Sequence, residues 1–296
     1  MDFKLTHVRH DRAHCLAPGL FRSLKRGERK NSKLDVKYEF GEKDYVRFIG
    51  FEPLGADDLR LLQGLVALGG PDGIILTTEP SADMPKQLRL LLEPKLDAVH
   101  QNGLAVHTRL GTLMAEIGYE KSGDKRQQII ESLRRISNVT VIAHKGNREA
   151  SYKILSYAFD EEDGRLFVAL NPRLTEAIIG NAPYARIEMN EIRALKSDPA
   201  RLMHQRLCGW IDQGKSGNTE IETLCGYVWP DPAKTPSTER WRRHEVKKAI
   251  TELSAIGWEI KEYANGKYKI SRPVRASNRQ KDTPKEGVLT QTLPFS

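Results

Sequence analysis

The sequence predicts an α+β fold with two tandem winged helix-turn-helix units followed by a disordered C-terminal tail. Three observations carry this prediction. Residues 258–273, WEIKEYANGKYKISRP, have the alternation of a β-hairpin around Asn265-Gly266, a pair that suits a primed two-residue turn. A helix-like segment rich in Arg and Lys directly precedes this hairpin. The same order of parts occurs a second time, earlier in the chain.

Similar segments precede both predicted hairpins in the same order. The sequence SYKIL at residues 151–155 resembles KYKIS at residues 267–271. Before them, KRQQIIESLRRIS and ERWRRHEVKKAITELSAIG both space their apolar residues as helices do. Further upstream, TRLGTLMAEIG pairs with TEIETLCGYVW, and RLLQGL pairs with RLMHQRL. Each unit is therefore predicted as helix, short strand, helix, helix and hairpin, which is the order of a winged helix-turn-helix.

These units define the predicted domains. Residues 1–180 form an N-terminal winged-helix domain that begins with a basic arm and carries extra strand-like sequence at residues 36–54. A strand in GRLFVAL and a helix in PRLTEAIIG complete this domain. The joint at residues 181–183 leads into a second winged-helix domain at residues 184–273. The polar, aperiodic residues 274–296 are predicted to be a flexible tail.

Composition narrows the function. The 296 residues include 47 Lys and Arg against 39 Asp and Glu, and the net charge of +8 favours a polyanionic partner. No apolar run reaches the roughly 20 residues of a membrane span, and no signal-peptide core is present, so we expect a cytoplasmic protein without a membrane partner. Cys15, Cys208 and Cys225 form no CxxC pair, and we expect free thiols, no metal and no cofactor.

The second unit offers a basic face for DNA. In this type of module the helix before the wing enters the major groove. Its predicted core stripe contains Val246, Ala249, Ile250 and Leu253. At 100° per residue, the opposite side carries the candidate DNA-binding residues Arg240, His244, Lys247, Lys248 and Thr251, with Arg243 flanking them.

The first unit offers side chains that can read bases. Its outward face is predicted to contain Gln127, Gln128, Glu131, Arg134 and Arg135. Gln can bind adenine and Arg can bind guanine in a bidentate manner, so these side chains are able to read bases. Lys125 and Arg126 at the helix start are expected to hold phosphates. The wings add Lys145, Arg148, Lys267 and Lys269 for contacts to the DNA backbone or minor groove. Two units one helical turn apart would cover a double-stranded element of roughly 20 bp, bound by a monomer.

Two other motifs have the residues of a nucleotide-binding loop or of a metal or nickase site, but not the structural context or the spacing that these sites need. GWIDQGKS, residues 209–216, satisfies the literal P-loop pattern but lacks the strand before it and the helix after it. His7, His10 and His14 in HVRHDRAH lack the spacing of a nickase and the further ligands of a metal site. No other catalytic arrangement is evident, so no enzymatic activity is expected. The C-terminal LTQTLPF loosely resembles peptides that dock on sliding clamps.

Longer blocks carry a family resemblance. HVRHDRAHCLAPGLFRSLKRGERK, PLGADDLRLLQGLVAL, GRLFVALNP, ARLMHQRLCGWID and TLCGYVWP resemble RepC-type replication initiators of IncQ-like broad-host-range plasmids, from about His7 to Pro273. The resemblance implies a protein with two winged-helix domains that binds directly repeated iterons at the plasmid origin. It implies that binding helps to open an adjacent AT-rich segment, onto which the plasmid's helicase and primase are recruited.

Two rival functions stay open at this point. A transcriptional repressor with the same fold would share the composition and the basic face. An origin-nicking or nucleotide-hydrolysing enzyme would use the literal P-loop or the histidine block. Neither the iteron sequence nor the choice between monomer and dimer follows from these residues.

Overall fold

The computed structural model describes residues 3–25, 27–80, 83–120 and 122–275. The elements before residue 181 are β1 (His7–Asp11), α1 (Arg12–Leu16), β2 (Leu34–Glu39), β3 (Tyr45–Gly50), α2 (Ala56–Asp72), β4 (Gly73–Leu76), α3 (Asp83–Leu91), β5 (Lys95–Leu96), β6 (Gly103–Arg109), α4 (Leu110–Glu116), α5 (Gly123–Ser137), β7 (Thr140–Lys145), β8 (Arg148–Lys153), β9 (Leu155–Phe159), β10 (Arg165–Leu170) and α6 (Pro172–Ile179). The later elements are β11 (Tyr184–Glu188), α7 (Met189–Ala194), α8 (Asp198–Trp210), β12 (Ser216–Glu220), α9 (Ile221–Val228), α10 (Pro236–Ala255), β13 (Glu259–Ala264) and β14 (Lys267–Ser271). Helices and mostly antiparallel sheets thus form an α+β fold.

The second half has the predicted order of elements. Helices α8, α9 and α10 pack on one another, and β12 follows α8. The hairpin β13–β14 accepts β12 as a third strand, in the order β12-β14-β13. Side chains alternate along β14: Tyr268 and Ile270 are buried against the helices, and Lys267 and Lys269 are exposed. The sheet therefore presents a lysine-bearing face to solvent.

The turn of this hairpin differs from the expected primed turn. Only Gly266, with φ of 70°, has a positive φ, and Asn265 does not. Strand β13 has a register shift between Glu262 and Ala264, and the Glu262 carboxylate accepts a hydrogen bond from the Gly266 amide at 2.8 Å. One left-handed glycine and a bulge adjust the strand twist here, so a second left-handed residue is not required.

The first half repeats the helices and the hairpin but not the sheet. Helix α2, strand β6, helices α4 and α5 and hairpin β7–β8 follow in the predicted order, with β4, α3 and β5 inserted after α2. However, β6 lies in a four-stranded sheet, β4-β6-β10-β9, while β7 and β8 lie in a five-stranded sheet, β2-β3-β7-β8-β5. In the first unit β5 pairs with β8, at the edge that β12 occupies on β14 in the second unit, and β3 pairs with β7 at the other edge of the hairpin.

The N-terminal segment is not the basic arm that the sequence predicted. Strand β1 pairs antiparallel with β11, from His7 opposite Glu188 to Asp11 opposite Tyr184. The side chains of His10 and His14 are fully buried, and Asp11 caps α1 by accepting a hydrogen bond from the His14 amide at 3.1 Å. Basic composition predicts a solvated arm, but four of the five residues of β1 are buried, which makes it a structural strand.

One continuous apolar core runs through both halves. Helix α2 packs against α8, and the Gln63 side-chain amide donates a buried hydrogen bond to Gln205 Oε1 at 2.6 Å. A smaller apolar cluster lies between α3 and the other face of the four-stranded sheet. Strand pairing and helix packing both cross residues 181–183, and the division into domains at residues 1–180 and 184–273 stays a prediction.

Burial of His10 leads to a prediction about acid stability. Burial, followed by the neighbouring His14, lowers the pKa of His10 to about 3 from its ordinary 6.5. The unfolded chain therefore binds a proton below pH 6.5 that the folded chain does not, and stability is lost as the pH falls. This single group should remove about 1.5 kcal/mol of unfolding free energy between pH 6.5 and pH 5. Denaturant unfolding of a His10→Gln variant should show a shallower loss over this interval, and an unchanged loss would contradict the assignment.

In the described part of the chain, no helix combines the length and the apolar character needed to cross a membrane. The three cysteines are free thiols, with Cys15 and Cys208 buried and Cys225 half-buried.

Candidate nucleic-acid interface

Helix α10 forms and presents its basic side for local reasons. Thr235 caps its start by accepting a hydrogen bond from the Thr238 amide at 3.1 Å, and Pro236 occupies the first turn, where a missing N–H costs nothing. Val246, Ala249 and Leu253 are buried against α8 and α9. The predicted DNA-binding side chains of this helix are therefore exposed on the opposite side, as the spacing required.

The exposed side of α10 and the hairpin turn enclose a polar cleft of about 450 Å³. Arg240, His244 and Lys247 line it from the helix, and Asn265 and Gly266 line it from the turn. The sequence-predicted Arg240, His244 and Lys247 thus lie beside the hairpin turn, whereas the predicted Lys267 and Lys269 of the hairpin do not line this cleft. A helix beside a hairpin tip is the arrangement that places base-contacting and backbone-contacting groups on the same duplex.

The cations of this surface are not equivalent. Arg243 forms ion pairs with Glu222 at 2.6 Å and Glu239 at 2.7 Å, and Lys248 pairs with Glu245 at 2.9 Å. Among the described residues, no carboxylate is ion-paired with Arg240, His244 or Lys247. The pKa of Glu262 is nevertheless lowered, mainly by the hydrogen bond from the Gly266 amide and also by the nearby Lys247, so Arg240 and His244 are the least neutralised of the three.

The remaining predicted residues of the second unit surround this cleft. Thr251 is exposed one turn beyond Lys247 and donates its hydroxyl to the Lys247 carbonyl at 3.2 Å. Lys267 and Lys269 point to solvent from β14, and Lys267 lies 4.0 Å from Glu220. These lysines extend the positive surface from the helix onto the hairpin.

The first unit is less favourable to an anion. Most side chains of α5 that were predicted to contact DNA already have partners within the protein. Lys125 donates to Gln128 at 2.8 Å, Gln127 donates to Glu131 at 3.2 Å, and Arg126 donates to the carbonyl of Glu161 at 3.2 Å. All except half-buried Lys125 are exposed, as is Arg134.

Arg135 is not available to DNA, contrary to the helical-wheel assignment. Its guanidinium forms a 2.9 Å ion pair with Asp58, whose side chain is fully buried at the start of α2. Arg29 lies 3.3 Å from the same carboxylate, and the Gly55 amide donates to it at 2.7 Å. A buried carboxylate requires such partners. Arg135 therefore joins α5 to α2 and has a structural role.

The first wing is exposed and basic at its tip. Lys145 and Arg148 face each other across the β7–β8 turn, and both are exposed. Asp44 from the adjacent β2–β3 turn accepts a hydrogen bond from the Gly146 amide at 2.8 Å, which places a carboxylate beside them. This hairpin thus carries a mixed charge at its tip, as does the face of β14, where Lys267 lies 4.0 Å from Glu220.

Comparison with known families identifies the chain. The family model described as Replication protein C (RepC) matches residues 2–274, nearly the whole sequence. The chain belongs to the RepC family of replication proteins. No curated protein sequence matches it significantly.

Solved structures show a related fold at low sequence identity. The RepC chain resembles a crystal structure of domains 2 and 3 of RctB with a TM-score of 0.55 and 12% identity, over 90% of this chain and all of that one. A second crystal structure of RctB domains 2–3 matches with a TM-score of 0.47 and 12% identity, over 88% of this chain and 95% of that one. The first likeness indicates a shared fold that spans both halves of the RepC chain.

The literal P-loop does not have the phosphate-binding geometry. Helix α8 ends at Trp210, before the loop, and strand β12 begins at Ser216, directly after Lys215. A P-loop needs the reverse order, with a strand before the loop and a helix N-terminus after it. In this RepC chain Lys215 continues into the sheet, and its carbonyl accepts a hydrogen bond from the Arg272 amide at 3.0 Å.

A buried polar network that no sequence pattern indicated lies behind α10. Glu191 on α7 accepts from His204 Nε2 at 2.6 Å and from Arg275 Nε at 2.9 Å, and Cys208 lies 3.5 Å from the same histidine nitrogen. Burial opposes the imidazolium, but Cys208 and Glu191 outweigh it and raise the pKa of His204 to about 10. Two ligands of one tetrahedral zinc stand roughly 3.3 Å apart, given metal–ligand bonds of about 2.0 Å. The distance between Glu191 and His204 is shorter than this, and Arg275 binds the same carboxylate. Both features are typical of an ion pair and not of a zinc site.

Arg275 also corrects the start of the predicted tail. Residues 274 and 275 belong to the predicted tail, yet Arg275 is held by Glu191 and by the carbonyl of Ile256. The preceding Arg272 is buried and donates to the carbonyls of Cys208 at 3.0 Å and Ile211 at 2.8 Å, which caps the end of α8. The clamp-like peptide LTQTLPF lies outside the described residues.

Proposed function

We propose that this chain initiates replication of an IncQ-like broad-host-range plasmid by binding directly repeated iterons at the origin. The segment from α8 to β14 acts as a winged helix-turn-helix. Helix α10 enters the major groove, and the β13–β14 hairpin contacts the DNA backbone. The first half acts as a second, modified winged helix on the same duplex. Binding promotes opening of adjacent AT-rich DNA and helps to recruit the plasmid helicase and primase.

One observation carries this proposal. Arg240, His244 and Lys247 are exposed without ion-paired carboxylates, on the helix that precedes a hairpin and beside that hairpin's turn. Membership of the RepC family supports a role at a replication origin. Arg and Lys can each bind guanine through O6 and N7, and the same charges attract phosphates without regard to sequence.

Opening of the AT-rich DNA follows if binding of the protein also deforms the duplex. The core is continuous through both halves, with α2 packed on α8, so α5 and α10 are held in one relative position. A duplex that engages both helices must adopt the curvature that this spacing dictates. The deformation is least costly at flexible pyrimidine–purine and A·T-rich steps. Several copies on adjacent repeats add their distortions.

Footprinting on the repeated origin DNA of the cognate plasmid tests the proposal. We expect protection of roughly 20 bp per bound chain, a fall in affinity as salt rises, and permanganate-reactive thymines in the adjacent AT-rich segment. Protection of a single groove face would contradict the joint use of both halves. Protection without any permanganate reactivity would favour a repressor. Retention of affinity from low to moderate salt would argue against the basic interface.

A further inference from the structure

A turn rich in acidic residues lies against the first unit's candidate reading helix. Residues 160–163, Asp-Glu-Glu-Asp, connect β9 to β10. Together with Tyr157, Phe159 and two residues of α5, Ile130 and Arg134, three of these acids line a cleft of about 780 Å³. The Gly164 amide closes the turn by donating to the Asp160 carbonyl at 3.0 Å, and the Leu110 amide at the start of α4 donates to the Gly164 carbonyl at 2.9 Å.

Contacts with α5 hold the turn beside the helix start. The Arg126 guanidinium donates to the Glu161 carbonyl at 3.2 Å and lies 5.7 Å from the centre of the Phe159 ring. Ile130 on the same side of α5 is buried. The turn therefore occupies one side of the surface through which α5 would approach a duplex.

The four acids of the turn are partnered differently. Asp160 and Asp163 pair with Arg165, and Asp160 also accepts from the Glu162 amide at 2.9 Å. Glu161 and Glu162 are exposed, and no described residue forms an ion pair with either carboxylate. Two uncompensated negative charges thus stand next to Arg126 and Arg134, the two arginines of α5 that remain for DNA.

We propose that Glu161 and Glu162 are affinity-determining residues that oppose DNA at α5, so that the two units contribute unequally to the complex. This inference rests on the proposed function. A duplex seated on α5 brings its phosphates towards these carboxylates, and like charges repel across the exposed cleft. In the cleft of α10, Glu222 pairs with Arg243, and the single acid without an ion pair among the described lining residues, Glu262, is held by hydrogen bonds from the turn amide and from Tyr268 at 3.1 Å. Binding is therefore led by α10, and α5 engages only against an electrostatic cost.

The test compares two double variants with the same change of charge. Glu161→Gln/Glu162→Gln removes the proposed opposition, while Glu79→Gln/Asp83→Asn removes two acids beyond β4. These control positions are exposed and lie at the opposite end of the same sheet, since β4 ends opposite Gly103, where β6 begins, and the acidic turn joins strands at the other end of β6. Fluorescence anisotropy with an origin-repeat duplex, repeated over a range of salt, gives the affinities, and footprinting gives the protected positions.

We expect the Glu161→Gln/Glu162→Gln variant to bind about three- to tenfold more tightly than wild type at low salt, with a gain that shrinks as salt rises. Protection should strengthen at the α5 end of the site. The Glu79→Gln/Asp83→Asn control should gain less than about twofold, because its charges lie further from the duplex than the screening length. Equal gains for both variants would overturn the inference while leaving the proposed function intact. A wild-type chain that binds no duplex, while remaining folded, would overturn the proposed function and this inference with it.

Discussion

Replacing Lys247 with Ala should weaken binding to the origin duplex by about 1–3 kcal/mol, or roughly 5- to 150-fold, if the side chain contacts a base. The same range is expected for Arg240→Ala. Both side chains are exposed on α10 and form no ion pair within 4.0 Å among the described residues, and the nearby Glu262 competes only for Lys247. If either contacts only phosphate, the loss is smaller, is similar for all sequences, and reduces the salt slope by about one.

Arg243→Ala supplies a matched control on the same helix. Arg243 is already bound to Glu222 and Glu239, so its removal should weaken DNA binding less than removal of Lys247. Lys86→Ala, an exposed lysine on α3, measures the effect of losing one positive charge elsewhere. Anisotropy with an origin duplex and an unrelated duplex separates the cases. Equal losses for Lys86→Ala and Lys247→Ala would contradict the assignment of α10.

Replacing Glu191 with Ala should cost about 3–5 kcal/mol of unfolding free energy, the usual result of removing one partner from a buried ion pair. His204 would lose its 2.6 Å partner in a fully buried position, and Arg275 would lose its carboxylate. Denaturant unfolding at neutral pH measures the change. Arg275→Ala is the matched control, because this partner is about one-third exposed and leaves the Glu191–His204 pair in place.

The pH dependence of this pair gives an independent check. Although burial alone would raise it, His204 and Arg275 lower the pKa of Glu191 to about 2, so its stabilisation is full above pH 4.5 and is lost as the pH falls towards 2. The raised pKa of His204 gives stabilisation that is full below pH 6.5 and is lost as the pH rises towards 10. The difference in stability between wild type and Glu191→Ala should therefore be greatest between pH 4.5 and 6.5. A difference that is constant across the range would contradict the ion pair.

Local patterns predicted the helices and hairpins of this fold well. Helix α10 and its buried stripe of Val246, Ala249 and Leu253 follow from spacing alone, because a helix brings residues three and four apart onto one face. Both hairpins lie where turn residues separate alternating strands. These features depend on interactions within about twenty neighbouring residues, and the sequence contains them directly.

Pairing between distant segments could not be predicted in the same way. Strand β1 finds its partner in β11, about 180 residues further along the chain, and β6 joins β10 instead of the hairpin that follows it. Strand partners are chosen by tertiary packing, and a short alternating run such as HVRHD fits many partners equally well. The basic composition of this segment therefore led to an arm where the structure has a buried strand.

The same difference between local patterns and distant contacts decides which residues of the candidate site could be predicted. Arg240, His244 and Lys247 were found because their helical phase alone separates them from the core. The helical spacing of Arg135 also predicts an exposed side chain, but its guanidinium forms an ion pair with the buried Asp58 of α2. The acids at residues 160–163 are more than twenty residues beyond α5 in sequence, and only the sheet brings them to that helix. A helical wheel contains no information on either contact.

The pairing of β1 with β11 has a consequence for synthesis of the chain. Strand β1 leaves the ribosome well before its partner, and it must wait until residues 184–188 have emerged before its backbone hydrogen bonds to β11 can form. Completion of the N-terminal half is thereby postponed until part of the C-terminal half exists, which makes early release or truncation near residue 180 costly. A fragment intended to represent the first half alone should therefore extend at least through β11, or else β1 will present an unpaired edge on which such fragments aggregate.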